Sequence, residues 1–215
     1  MTASNSETIA LPPAIGMLAL AAAPFYLNDI FFLMTDTAPA WLAVDYGSKL
    51  LALGVLFLIP QLRRTVMQTM PLKVPVRDAL SPAVLCVMTI LLIDHFFRVV
   101  FPIEIDSMVL FRYPALDPGF LYWTDITFGL ALTAISEEFL FRGVFARLMS
   151  AFFKKTAMMV AASAVFFALI HWSHGVTSMV VAAFAGVALM MLYLRTGSVL
   201  PGMAAHYAVN FWDFL

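Results

Sequence analysis

Charge is what this chain most conspicuously lacks. Only 12% of its 215 residues are charged, where a soluble domain carries about 25%. The 12 Lys and Arg and 13 Asp and Glu nearly cancel to a net charge of −1. No basic face is therefore available for nucleic acid. A single cysteine, Cys86, excludes an internal disulfide and any cysteine-based metal cluster. There is no internal repeat and no low-complexity tract. The first residues, Met1 to Leu11, hold Glu7 but no Lys or Arg. They thus lack the basic start of a signal peptide, although Ala21, Ala22 and Ala23 resemble a cleavage site. The first apolar segment is accordingly read as a retained membrane helix.

What the chain has instead is apolar surface. Hydrophobic residues make up 63% of it, and the mean hydropathy is +0.94. One globular core of this size cannot bury so much, and long apolar runs favour spanning helices over a barrel. The segments fall at about 13–34, 40–60, 79–101, 120–150, 156–172, 176–194 and 198–215, most of them near the ~20 residues that cross a bilayer. The expected fold is all-α: a polytopic membrane helix bundle of about seven transmembrane helices, forming a single integral membrane domain over 1–215.

Orientation follows from the basic residues between segments. Arg63, Arg64, Lys73 and Arg77 precede segment three, Arg147, Lys154 and Lys155 follow segment four, and Arg195 precedes segment seven. If every segment crosses, all lie on one side, leaving Arg112, and Arg98 near its edge, on the other. The expectation is an N-terminus in the cytoplasm, most simply at a bacterial inner membrane, and a C-terminus outside. Trp41, Trp123, Trp172 and Trp212 fall at expected outer ends, where amphipathic rings settle.

Several charges read as structural. Asp45 with Lys49, and Asp94 with Arg98, are spaced i,i+4 and can pair on one helix face. His95 reads as a boundary residue and His174 as an exposed turn residue. Asn28 and Asp29 have no local partner and are expected to face the interior. Glu104, Asp106, Arg112 and Asp117 sit in an outer loop, 102–118, that could lie over a site.

Three short patterns carry the chemistry. Within an apolar run stands Ser136-Glu137-Glu138-Phe139-Leu140-Phe141-Arg142-Gly143. Charges at such depth are costly unless paired or facing a cavity. Glu138 and Arg142 are i,i+4 and should pair, whereas Glu137 is turned about 100° away and is left over. Phe167 and His171 are i,i+4 at the end of segment five. His206 and Asn210 are i,i+4 in segment seven, beside the small residues Gly202, Ala204 and Ala205, which permit close helix approach. Counting ~1.5 Å per residue from the cytoplasmic boundaries puts Glu137, His171, His206 and Asn210 within about one turn of a common layer in the outer half of the membrane.

Glu-Glu-x-x-x-Arg, Phe-x-x-x-His and His-x-x-x-Asn, in that order, resemble the motifs of the CPBP family of CAAX proteases and bacteriocin-processing enzymes, also called the ABI family, whose eukaryotic member is the type II CAAX prenyl endopeptidase. The motifs span 137–210, inside the 120–215 portion. The N-terminal half carries no such resemblance. The resemblance implies an intramembrane glutamic endopeptidase. Glu137 would be the general base, His171 its helper, and His206 with Asn210 the oxyanion hole. Glu138, Arg142 and Phe167 would be supporting residues. It implies no cofactor, with zinc as the minority alternative for converging Glu and His residues. The expected partners are the lipid bilayer and a membrane-anchored or exported protein or peptide substrate, cleaved in a C-terminal anchor or sorting segment. Two other readings stand beside it. One is a non-proteolytic bacteriocin-immunity protein of the same family. The other is a transporter with Glu137, Glu138 and His171 as a proton relay, for which inverted repeats are missing.

Overall fold

In the computed structural model, which describes residues 10–35, 37–100, 109–110 and 114–214, the chain is helical nearly throughout. The expectations placed on Glu7, Glu104, Asp106 and Arg112 lie outside the described residues. Among the described residues there are eight helices and no strand. They are α1, Leu11–Phe32; α2, Ala38–Leu58; α3, Pro60–Thr69; and α4, Val76–Val100. Then come α5, the continuous run 120–149; α6, Thr156–Leu169; α7, Val176–Thr196; and α8, Leu200–Trp212. The protein is an all-α membrane helix bundle. By length and composition α1, α2, α4 and α7 can each cross a bilayer.

Local chemistry fixes several boundaries. Proline occupies the first turn of α1, α2, α3 and α8, where its missing N–H costs nothing. Thr37 caps α2 by accepting the Ala40 N–H at 3.4 Å. Gly197 ends α7 in the left-handed region at φ 68°, a conformation that favours glycine. α3 was read in the sequence as part of a basic loop. It is a short amphipathic helix that buries Leu62 and Val66 and leaves Arg63 and Arg64 exposed, too short and too polar to register as an apolar segment.

Hydrogen bonds sort the helix ends into two groups. At one end the Val199 N–H donates to Thr69 O (3.0 Å) and the Lys73 N–H to Thr196 O (3.2 Å). The Ser198 hydroxyl donates there to Met70 O at 2.7 Å, and Arg147 Nη2 to Gln68 O at 3.2 Å. At the other end the Ser173 hydroxyl donates to Asp29 Oδ2 at 2.6 Å and the Tyr122 hydroxyl to Phe214 O at 3.3 Å. Arg98 Nη2 reaches Asp213 Oδ1 at 3.1 Å at that same end. Helix direction therefore alternates along the bundle. The exposed cations Arg63, Arg64, Lys73, Arg77, Arg147, Lys154, Lys155 and Arg195 collect at the first end.

The core lies around α5. Phe141 is fully buried and packs against Phe25, Phe166 and Phe167 at centroid distances of 5.8, 4.9 and 5.3 Å. Close helix crossings use small residues, as at Gly186, where a Cβ would lie 2.9 Å from Ala164 Cα. Trp41 is not an interfacial ring. It is buried and stacked on Phe32 at 4.5 Å, while Trp123 and Trp212 are exposed.

Candidate functional site

α5 is not a uniform helix. It opens into π-helical turns at Asp125–Gly129 and again at Phe139–Val144, directly after the two glutamates. A π turn widens the helix and re-aims the side chains around it, which is why such turns recur at functional sites. The second one is supported from α6, where the Ser163 hydroxyl donates to Phe141 O at 2.7 Å.

Glu137 and Glu138 end the α-helical part of this run, and both are buried, at 6% and 0% exposure. Arg142, inside the π turn, is fully buried as well. Its Nη1 lies 3.0 Å from Glu138 Oε1, the i,i+4 pair expected from the sequence. That contact has ion-pair distance without hydrogen-bond geometry, and the guanidinium nitrogens make no hydrogen bond among the described residues. Instead the Phe167 ring covers the guanidinium, with its centroid 4.1 Å from Cζ. A desolvated cation over an aromatic face gains about 2 kcal/mol. Phe167 therefore does more than keep helical phase with His171. Its ring also meets His171 at 4.9 Å and His206 at 5.9 Å, both edge-on.

His206 enters from α8 and touches both carboxylates. Its Nδ1 is 3.0 Å from Glu138 Oε1, and its Nε2 is 3.7 Å from Glu137 Oε2. A carboxylate oxygen accepts, so the Nδ1 contact places a proton on that nitrogen. The approach depends on Gly202, one turn earlier in α8. A Cβ at that position would fall 2.8 Å from Glu138 Oε2. Helical phase assigned Glu138 to Arg142 and could not show its second partner, because a contact between α5 and α8 has no signature in local spacing.

His171 stands just past the end of α6. Its Nδ1 is 3.1 Å from Phe167 O. A carbonyl only accepts, so Nδ1 donates and Nε2 keeps its lone pair for the site. Asn210, half-buried, follows His206 by one turn of α8. A cleft of about 180 Å³ is lined by Phe167, His171, His206 and Asn210. It continues past Ile90, Ala182 and Leu189 to Asp94, Arg98 and Asp213. Glu137 is not among the lining residues and meets the site through His206. At the cleft mouth Arg98 bridges Asp94 (2.6 Å) and Asp213 (3.1 Å). Asp213 lies beyond the end of α8, and burial pushes its carboxyl above the ordinary range against the opposing pull of Arg98.

A second buried polar cluster adjoins the first. Asp45 and Lys49 of α2 pair with each other as expected, and Asn28 Nδ2 donates to Asp45 Oδ1 at 3.4 Å. Asp29 accepts from Ser173, two residues beyond His171. Asn28 and Asp29 do face the interior, and these are their partners. His174, expected to be exposed, is instead partly buried and bridges to Val109 in antiparallel fashion, so the turn after α6 is held from both sides. Among the described residues no group of three His, Cys, Asp or Glu side chains is arranged to hold a metal ion.

Residues 119–212 match the family described as type II CAAX prenyl endopeptidase Rce1-like. The match spans all three motifs and bears out the resemblance drawn from them. It also leaves α1 to α4, and with them Asn28, Asp29, Asp45 and Lys49 of the second cluster, outside the matched region. Neither the curated proteins nor the solved structures yield a match to the chain.

Proposed function

We propose, from the premise that residues 119–212 belong with the CAAX-type membrane endopeptidases, that this protein hydrolyses a peptide bond within or beside the bilayer by glutamate-activated water. Glu137 accepts the proton of the attacking water. His171, basic at Nε2, shares that proton and relays it to the leaving amine. His206 and Asn210 hold the developing oxyanion, the step at which preorganised donors in a dry site stabilise most. The observation that carries the reading is His206, which contacts both glutamates while lining the cleft with His171 and Asn210. Its Nδ1 proton goes to Glu138, so donation to an oxyanion from Nε2 requires the doubly protonated ring.

The substrate class follows from sidedness. The cleft beside His206 reaches Asp94, Arg98 and Asp213 at the end of the bundle away from the collected cations. With those cations in the cytoplasm, the cleft opens in the outer half of a plasma membrane, and the C-terminus lies outside. A membrane-anchored or exported protein, cut near a C-terminal anchor or sorting segment, fits that location. A periplasm-active phosphatase fused after Leu215 should be active; a fusion fluorescent only in the cytoplasm would reverse the orientation and remove this substrate class.

Cleavage is tested with purified protein in proteoliposomes. The probe is a mixture of membrane-protein peptides and farnesylated peptides ending in a CAAX sequence, in heavy-oxygen water, with new C-termini read by mass spectrometry. Wild-type protein should generate labelled C-termini, and Glu137→Gln should generate none. Labelled termini from Glu137→Gln at the wild-type rate, or none from the wild type, would overturn the reading. Loss of cleavage with a chelator and its return with zinc would overturn the metal-free form. An immunity function that persists in Glu137→Gln and His171→Ala would favour the non-proteolytic alternative.

A further inference from the structure

The catalytic reading leaves one buried hydroxyl unused. Ser163 lies in the middle of α6 and is fully buried. A hydroxyl inside a helix commonly bonds back to its own preceding turn, as Thr133 does to Gly129 O at 3.0 Å and Thr196 to Leu192 O at 2.9 Å. Ser163 instead reaches across to α5 and donates to Phe141 O at 2.7 Å.

The acceptor has an unusual place. Phe141 is inside the π turn Phe139–Val144, directly after Glu137 and Glu138. There the bonding shifts from i+4 to i+5 and the regular ladder is disturbed, while a buried carbonyl still needs a partner. The serine therefore fastens α5 where it departs from α geometry, one turn from the glutamates.

The same face of α6 carries the second motif. Ser163, Phe167 and His171 are spaced i, i+4 and i+8, so they stack along one side of the helix. Phe167 packs on the Phe141 ring at 5.3 Å and covers the Arg142 guanidinium at 4.1 Å. His171 follows, with Nδ1 3.1 Å from Phe167 O. α5 and α6 run in opposite directions. From the level of the Ser163–Phe141 bond, Glu137 lies ~6 Å along α5 and His171 ~12 Å along α6, both the same way. The two groups are thus brought to within about one turn of each other. Ring contacts tolerate sliding of one helix along another, whereas a hydrogen bond is tightly limited in distance and angle.

We propose that Ser163 is a positioning residue: its bond to Phe141 O sets the register of α6 against α5, and so the placement of His171 relative to Glu137. The inference rests on the proposed roles of those two residues. It lengthens the second motif by one turn, to Ser-x-x-x-Phe-x-x-x-His over 163–171, and ties it to the π turn of the first.

The test separates register from general stability. Ser163→Ala is compared with Met159→Ala, which opens a cavity one turn earlier in the same helix, on a peptide that the wild-type protein cleaves. Melting temperature, kcat and KM are read on each preparation. Ser163→Ala should keep its KM while kcat falls about tenfold to a hundredfold, the scale of a small misplacement in a catalytic site. Met159→Ala should lower the melting temperature and leave kcat close to wild type. Ser163→Thr keeps the hydroxyl and should recover most of the lost kcat. Wild-type kcat in Ser163→Ala, a loss confined to KM, or Ser163→Ala and Met159→Ala falling on one line of kcat against melting temperature would overturn the proposal. So would a Ser163→Thr that melts like wild type yet stays as slow as Ser163→Ala. If Ser163→Ala does not fold, Ser163→Cys, with only a weak donor in place of the hydroxyl, decides by the same comparison. Cleavage by Glu137→Gln would sink the hydrolytic reading itself; an inactive Glu137→Gln beside a fully active Ser163→Ala would sink only the role of Ser163.

Discussion

His206 Nδ1 and Arg142 Nη1 converge on one atom, Glu138 Oε1, each at 3.0 Å. This shared oxygen ties the first motif to the third. Glu138 compensates a buried arginine on its own helix and at the same time sets which nitrogen of His206 faces Glu137. A carboxylate with two duties has a distinctive mutational signature.

Glu138→Gln removes the carboxylate paired with Arg142 and leaves a guanidinium at 0% exposure without its ion-pair partner. The expected cost is about 3–5 kcal/mol of stability, as when a buried pair is broken. Glu138→Leu/Arg142→Leu discards both charges and should regain most of it. Cleavage should stay lost in the double variant because His206 no longer has its Nδ1 acceptor. Thermal melts in detergent and peptide cleavage, measured on the same preparations, check this; a double variant that cleaves at the wild-type rate would show that Glu138 serves Arg142 alone.

Phe167 is the hub between the motifs, touching Arg142, His171 and His206 through one ring. Phe167→Ala should cost about 3–5 kcal/mol through the cavity it opens. Phe167→Leu restores much of the packing but has no π face for Arg142. Its stability should lie between wild type and Phe167→Ala, and its cleavage should remain low because both imidazoles lose their edge contact. Leucine at this position with full activity would reduce Phe167 to a space-filler.

How much of this could be read in advance depended on whether the interaction was local. The pairs Asp45–Lys49, Asp94–Arg98 and Glu138–Arg142 all form, because each is fixed by the pitch of one helix. The apolar segments marked the long helices to within a few residues for the same reason. α3 escaped because a ten-residue amphipathic helix has no long apolar run. The π turns escaped because Phe139 to Val144 keep an ordinary helical pattern; the widening is imposed by what packs around them. The link of His206 to Glu138 spans 68 residues, and the Asp29–Ser173 bond spans 144. Only the fold brings such residues together.

Asp213 gives the bundle a pH dependence outside the membrane-embedded site. Its folded-state value is raised, chiefly by burial. A raised folded value means that the folded protein binds the proton more tightly than the unfolded chain does. The stability this adds is full below the ordinary aspartate range and is lost as pH rises through the folded value. Asp213→Asn should therefore flatten the melting curve over that window, measured as melting temperature against pH. An unchanged profile would mean that the pull of Arg98 cancels the effect of burial, and a change of opposite sign would mean that the Arg98 bridge governs this carboxyl.

Gly202→Ala sets two effects of opposite sign against each other. Alanine in a helix interior is favoured over glycine by about 0.8–1.0 kcal/mol. The added methyl would lie 2.8 Å from Glu138 Oε2. A flexible glutamate could swing aside, but this one is fully buried, and its other oxygen is held by both His206 and Arg142. Overpacking of this kind costs about 1–3 kcal/mol, so the clash should win and stability should fall by up to about 2 kcal/mol. Activity should fall further than stability does, since the strain lands on the oxygen pair that orients His206. Gly186→Ala serves as the comparison. It clashes with the Ala164 backbone at 2.9 Å on the α6–α7 crossing, so its loss of activity should only track its loss of stability. If Gly202→Ala and Gly186→Ala fall on the same line of activity against melting temperature, the close approach of α8 to Glu138 is packing and nothing more.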